Sequence, residues 1–185
     1  KRRKTRKGKT IMKKIAIACD HAALDLKAEL IKHLTENGVE CKDYGTYTPD
    51  SCNYPDYAEK VCNAIKAGEQ ELGILVCGTG IGMNMCANKH KGIRAAQCHD
   101  TFSAKMTIQH NNANVLTMGG RVVGSELAKD IVNELEKIGF DSSYRVQATK
   151  KYLYKNLKIY DLSLPQANIL KQTALSFGAD CAVHR

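Results

Sequence analysis

The sequence predicts an α/β fold, a Rossmann-like three-layer sandwich around a five-stranded parallel sheet. From Ile11 onward, short β-rich apolar runs alternate with amphipathic helical stretches, the pattern of a parallel sheet covered by helices. One run, LGILVCG at 72–78, is apolar without alternation, as a strand buried on both faces must be, and so belongs at the sheet centre. Five βα units with short connections leave few arrangements other than a doubly wound one, because crossovers are right-handed.

KKIAIACD (13–20) reads as the first strand. AALDLKAELIKHLTENG (22–38) puts Leu26, Leu30 and Leu34 on one helical face, with Ala23 and Lys27 alongside, and stops at Asn37-Gly38, a good C-terminal cap. VECKDYG (39–45) is the second strand; a polar loop through Pro49 and Asn53 follows, and Pro55 opens a helix to about Ala67. After the central strand, GIGMNMCANK forms a helix, GIRAAQC (92–98) a strand, DTFSAKMTIQHN a helix, ANVLTMG (113–119) a strand and GSELAKDIVNELEKI (124–138) a helix. The sequence contains no internal repeat. After Gly139-Phe140 the alternation stops, and the remainder carries half of the tyrosines. The predicted organisation is a basic disordered tail over 1–10, one domain over 11–140 and an atypical extension over 141–185.

A chain of 185 residues implies one core with extra segments. The net charge of +9 is a property of the ends. Residues 1–10 hold seven Lys/Arg and no acid, and residues 139–185 hold seven against three Asp/Glu, which leaves 14 basic and 16 acidic residues, a net of −2, between them. The basic run has no interleaved aromatic residues to stack bases, so it reads as a solvated tail, and nucleic acid is not an expected partner. No apolar stretch reaches the roughly 18 residues of a membrane span, and Lys13 and Lys14 interrupt the first one; a cytoplasmic protein is expected. The eight cysteines include no CxxC pair, and Cys19, Cys62, Cys77, Cys86 and Cys98 fall on apolar faces. They are expected as reduced thiols, with no metal site.

Ligands of an open parallel sheet bind beyond the carboxyl ends of its strands. The first strand ends in Asp20-His21, the third in Cys77-Gly78-Thr79-Gly80-Ile81-Gly82, the fourth in His99-Asp100 and the fifth in Gly119-Gly120-Arg121. The helix before the fifth strand ends in His110-Asn111-Asn112. Glycines between a strand and a helix let successive N–H groups converge on an anion, although tight strand-to-helix packing explains them equally well. The run is not a Walker loop, which needs Lys-Ser/Thr where Met83-Asn84 stand, nor a dinucleotide fingerprint. Cys77 stands at the mouth of the following helix, whose N-terminus favours a thiolate; it is a candidate base or nucleophile, against the plainer reading of a small core residue. Asp20 has an alternative reading as the N-cap of helix 22–38, His21 and His110 as surface residues, and Arg121 as a partner of Glu126. His99 sits at a strand end without an assigned role, and Tyr47, Tyr54 and Asp56 are open as pocket lining.

IAIACDHAALDLK, YGTYTPDSCNYPDYA, GILVCGTGIGMNMCANKHKGIRAA, QHNNANVLTMGGRVVG and SELAKDIV together resemble the ribose-5-phosphate isomerase B and galactose-6-phosphate isomerase family, over about 130 residues and in the right order. The resemblance implies an aldose–ketose isomerase for a sugar phosphate, free of metal and cofactor, working through a cis-enediolate. It assigns proton transfer to Cys77, and enediolate stabilisation to Gly78, Gly80 and Gly82 with the Thr79 hydroxyl. His110 would assist ring opening, Asn111 and Asp20 would hold sugar hydroxyls, and His21 and Arg121 would address the phosphate. A homodimer or dimer of dimers is implied. Within the family, Cys77 and His110-Asn111 favour ribose 5-phosphate to ribulose 5-phosphate, with galactose or allose 6-phosphate as the nearest variants.

The chain departs from the family pattern in two places. Relatives continue after the last helix as EGGRHQRRV, where GFDSSYRVQATKKY stands and only Arg145-Val146 matches; relatives also carry Arg before QHN, where Ile108 stands. A depleted phosphate clamp follows, and with it a second reading, a sugar-phosphate-binding module with impaired catalysis. The end of the chain, LSLPQANILKQTALSFGADCAVHR, resembles a short N-terminal piece of a dihydropteroate synthase without that enzyme's pterin-binding acids, so no pterin chemistry is implied. A fused or misjoined coding sequence would explain both unusual ends.

Overall fold

The computed structural model describes residues 14–136, together with 163, 165–166, 169–170 and 172–173. The expected basic tail and most of the extension lie outside the described residues, and the stretch resembling dihydropteroate synthase is described only at 163, 165–166, 169–170 and 172–173. The chain divides into two compact units, Lys1–Ala148 and Thr149–Arg185.

In the first unit the elements alternate as β1 (Lys14–Cys19), α1 (Leu24–Glu36), β2 (Glu40–Asp43), α2 (Tyr54–Lys66) and β3 (Leu72–Cys77). They continue as α3 (Ile81–Ala87), β4 (Ala95–Gln97), α4 (Thr101–Asn111), β5 (Val115–Gly119) and α5 (Ser125–Glu136). The five strands form one parallel sheet in the order β2-β1-β3-β5-β4.

This order dictates the layers. A right-handed crossover places its helix on one face when the chain steps towards the β2 edge and on the other when it steps towards the β4 edge. Helices α1 and α4 step one way, α2 and α3 the other. Accordingly, Leu26, Leu30 and Leu34 of α1 share a core with Ala104 and Ile108 of α4 and with Ile131 and Leu135 of α5. Ala58, Val61 and Cys62 of α2 share the opposite core with Met83 and Ala87 of α3. The inner strands feed both: Ile15, Ile17, Ile74, Val76, Leu116 and Met118 face the first core, while Ala16, Ala18, Leu75, Cys77 and Val115 face the second. Gly73 lets α2 settle closely, since a methyl group there would stand 2.8 Å from Val61 Cγ1.

The strands are shorter than the sequence predicts, β4 most of all. The run 92–98 yields only Ala95–Gln97, because Gly92 takes a φ of +87° and two asparagines occupy the ladder positions before it. The Arg94 N–H donates to Asn114 Oδ1 at 2.8 Å, and the Ala95 N–H donates to Asn88 Oδ1 at 3.0 Å. Among the described residues no helix is long and apolar enough to cross a membrane. In the second unit, residues 165–166, 169–170 and 172–173 are helical, and Gln166 Oε1 accepts from both the N–H (2.9 Å) and the hydroxyl (2.8 Å) of Ser163.

A buried cation joins α1 to the carboxyl end of the sheet. The Lys27 side chain is only 5% exposed; its Nζ lies 2.9 and 2.7 Å from the Asp43 carboxylate oxygens, 2.7 Å from the Thr46 carbonyl and 4.7 Å above the Tyr47 ring. The turn it grips is itself bonded to β1, through Cys19 N–H to Gly45 O (2.7 Å) and Thr46 N–H to Cys19 O (2.9 Å). Replacing Lys27 by Met would leave a carboxylate and a carbonyl facing an apolar stem. Breaking such a pair from one side is expected to destabilise the domain by about 3 kcal/mol, as measured by urea unfolding. A loss near zero would show that the pair contributes no stability.

Candidate active site

The chain leaves β1 towards one edge of the sheet and leaves β3 towards the other, so α1 and α3 diverge on opposite faces and open a crevice at the carboxyl ends of these neighbouring strands. Asp20 and His21 follow β1 there, and Cys77 to Gly82 follow β3. Because β5 lies beside β3, with Cys77 paired to Gly119, Gly120 and Arg121 enter the same place. Backbone bonds knit the three turns: Asp20 N–H to Val76 O (3.0 Å), Gly120 N–H to Cys77 O (2.8 Å) and Arg121 N–H to Gly78 O (3.1 Å).

Asp20 does not cap α1, contrary to one of its two readings. The helix starts at Leu24 with Ala23 as its N-cap and no side-chain cap bond. Asp20 Oδ1 instead accepts the Ala22 N–H at 2.9 Å, closing its own turn, and the residue is only 9% exposed in the crevice.

The glycines after β3 serve close packing as well as any anion. Gly80 adopts a φ of +84°, and a methyl group on it would stand 2.8 Å from the Met118 carbonyl carbon. Gly119 answers from the other side, where a methyl group would stand 2.7 Å from the Thr79 backbone. Gly82 admits the Tyr54 ring, whose nearest atom would lie 2.9 Å from such a group. Within this turn the Gly80 N–H points at Cys77 Sγ, 3.0 Å away, and the Ile81 N–H donates to Thr79 Oγ1 at 3.3 Å. The Cys77 residue is 6% exposed, with its sulfur turned into the loop.

The remaining described cysteines form no disulfide in the structure. Burial pushes the thiols of Cys41, Cys62 and Cys98 up to about 12 and that of Cys19 up to about 11, and it also raises Cys86. Cys19, Cys86 and Cys98 direct their sulfurs at carbonyl oxygens, which suits a protonated thiol, whereas Cys77 receives an N–H.

Around this centre, Arg121 arches over the turn: a methyl group on Gly78 would lie 3.8 Å from its Cδ and 3.9 Å from its Nη1. It does not pair with Glu126, which takes Lys129 at 2.6 Å. His21 Nδ1 lies 3.9 Å from Cys52 Sγ. Three neighbours went unassigned in the sequence: Tyr54 against Gly82, and Gln97 and His99 against the Thr79 carbonyl, at 3.0 and 3.3 Å. A strand-end position signalled His99, the stretch YGTYTPDSCNYPDYA contains Tyr54, and Gln97 lies in no motif.

His110 and Asn111 stand elsewhere. They end α4, which starts at the carboxyl edge of the sheet and returns to the opposite edge, where the Asn112 carbonyl accepts from Arg94 Nε at 2.7 Å and the Asn114 carbonyl accepts from the Gly73 N–H at 2.9 Å. The six residues of β3 set roughly 16 Å between those edges. Within one chain, neither residue reaches Cys77. Ile108 is 1% exposed and packs in the core, so its departure from the family pattern is a packing choice at a distance from the crevice.

The family model described as Ribose/Galactose Isomerase matches residues 15–152. The chain is 52% identical over 122 residues, 66% of its length and 82% of the relative's, to ribose-5-phosphate isomerase B of Escherichia coli. It is 51% identical over 123 residues, 65% of its length and 80% of the relative's, to a D-erythrulose-4-phosphate isomerase of Pectobacterium atrosepticum. A solved ribose 5-phosphate isomerase of Thermotoga maritima superposes with a TM-score of 0.69 at 46% identity, over 74% of this chain and 95% of that one. With sheet, crevice and glycine turn in agreement with that match, this chain belongs to the ribose/galactose isomerase family.

Proposed function

We propose that the chain interconverts ribose 5-phosphate and ribulose 5-phosphate through a cis-enediolate, with Cys77 as the base. Family membership makes it an aldose–ketose isomerase of phosphorylated sugars. The observation that carries the mechanism is the Cys77 sulfur, held by the Gly80 N–H at 3.0 Å at the head of the glycine turn, beside Asp20 and under Arg121. After ring opening, the thiolate takes the C2 proton, and the electron pair moves to O1. The Thr79 hydroxyl and the N–H groups of the turn not already bonded to Cys77 Sγ or Thr79 Oγ1 meet the resulting oxyanion. The thiol returns the proton to C1 while the proton of O2 passes to O1, leaving the ketose. Asp20 holds sugar hydroxyls, and His21 and Arg121 balance the phosphate. The relatives' names favour a short sugar phosphate; a hexose 6-phosphate is the runner-up, and a panel of tetrose, pentose and hexose phosphates separates them.

The site is completed in this reading by a second copy. His110 and Asn111 are exposed at the edge opposite Cys77, and an isologous dimer brings that edge of each copy over the crevice of the other. Ile81, Phe102 and Val122, more than half exposed on segments leaving the carboxyl edge, supply apolar surface for such a contact.

Three outcomes test the proposal. Cys77→Ala should lower kcat by about 10³-fold with the fold intact, and a near-normal rate would exclude the thiol as base. Iodoacetamide at pH 8 should label Cys77 well ahead of Cys19, Cys41, Cys62 and Cys98; burial raises those four pKa values to about 11 or 12, so they stay protonated until the pH climbs past 10. Co-expressing Cys77→Ala with His110→Ala should recover about a quarter of parental activity, since half of a random mixture is heterodimer with one intact site of two. Mixed dimers as inactive as either parent variant would refute the shared site.

A further inference from the structure

The Thr79–Gly80 peptide has both of its polar ends engaged. Its N–H is the group that meets Cys77 Sγ at 3.0 Å. Its carbonyl oxygen accepts from Gln97 Nε2 at 3.0 Å and lies 3.3 Å from His99 Nε2, while the two side-chain nitrogens are 3.3 Å from each other. Gln97 closes β4 and His99 follows it, so both reach across the end of β5 to a loop far from them in sequence. The crossing is open because Gly119 intervenes without a side chain: a methyl group there would stand 2.8 Å from the same Thr79 oxygen.

From this geometry we infer that Gln97 and His99 are positioning residues, which orient and polarise the Thr79–Gly80 peptide and through it set the state of the Cys77 sulfur. Donation to an amide oxygen draws electron density from the nitrogen and makes the N–H a stronger donor, so a bond on the carbonyl strengthens the bond on the sulfur. The same bonds oppose rotation of the peptide, which would swing a carbonyl oxygen towards a thiolate. The primary amide of Gln97 suits the place because its nitrogen carries two hydrogens, one for the Thr79 oxygen and one for the lone pair of a neutral His99 ring. When the ring is protonated, Nε2 donates to the oxygen itself. In either state the carbonyl is held by a donor. The proposed mechanism assigns neither side chain a contact with the sugar. The inference deepens the reading of Cys77 as base and rests on it.

The test replaces Gln97 by Met, close in size but without the donor, in the full chain. We expect kcat for ribose 5-phosphate to fall about three- to tenfold with KM within about twofold. Carbamidomethylation of Cys77 at pH 7.5, followed by peptide mass spectrometry, is expected to slow by a similar factor, while Cys52, which contacts His21 and not this peptide, is labelled at the parental rate. Adding His99→Leu should deepen both losses. Parental kcat together with parental Cys77 labelling would overturn the inference, as would faster labelling of both cysteines, the sign of a loosened domain; a double variant no worse than Gln97→Met would remove His99 from it. If Cys77→Ala itself turns over normally, the base assignment falls, and the labelling ratio still judges the peptide relay on its own.

Discussion

The site depends on two backbones approaching closer than any side chain allows. β5 lies beside β3 with Cys77 opposite Gly119, so the turns after these strands leave the sheet at the same level. A methyl group on Gly80 would come within 2.8 Å of Met118, and one on Gly119 within 2.7 Å of Thr79. Both distances lie well inside van der Waals contact, and the positive φ of Gly80 makes a side chain there strained as well. Only with glycine on both sides does the Thr79–Gly80 peptide lie with its N–H towards sulfur and its oxygen towards β4. Strand order, which puts β5 rather than β4 next to β3, is thus translated into the direction of one N–H bond.

Electrostatics divide the cationic groups of the crevice by commitment. Lys27, from the apolar face of α1, is consumed by Asp43 and Thr46 and braces the turn after β2, so it is structural despite its nearness to the carboxyl edge. Arg121 has no carboxylate partner among the described residues and overhangs Gly78, in keeping with the proposed contact to a phosphate. The same sorting applies to sulfur. Burial keeps Cys41, Cys62 and Cys98 protonated far above neutral pH, whereas the Gly80 N–H aimed at Cys77 distinguishes it from a core residue of similar exposure.

The alternation of apolar runs and helical faces was enough to define the fold, since β1, β3 and β5 are buried on both faces and crossover handedness does the rest. The order of β4 and β5 was not legible, because both follow helices of ordinary length and either could lie beside β3. β4 was overestimated for a local reason: Gly92 and the Asn88 and Asn114 side chains replace ladder bonds that an apolar pattern takes for granted. At the site, strand ends located Asp20, His21, Cys77 and Arg121. Asp20 was ambiguous because an Asx turn and a helix cap ask for the same residue, and Gln97 was invisible because a polar residue ending a short strand is usually solvated.

The separation of His110 and Asn111 from Cys77 follows from the architecture itself. In a parallel α/β sheet every strand ends at one edge and every crossover helix ends at the other, so a residue closing α4 lies a full strand length from one closing β3. No loop rearrangement short of unwinding α4 would bring them together, since Ile108 and Ala104 anchor that helix in the core. A pairing that inverts one copy against the other joins the two edges without moving any element. It forms two equivalent crevices for one contact, and it covers apolar side chains such as Ile81 and Phe102 that a solitary copy leaves to water. The roles proposed for His110 and Asn111 are therefore ones that the proposed mechanism can place only on a neighbouring copy.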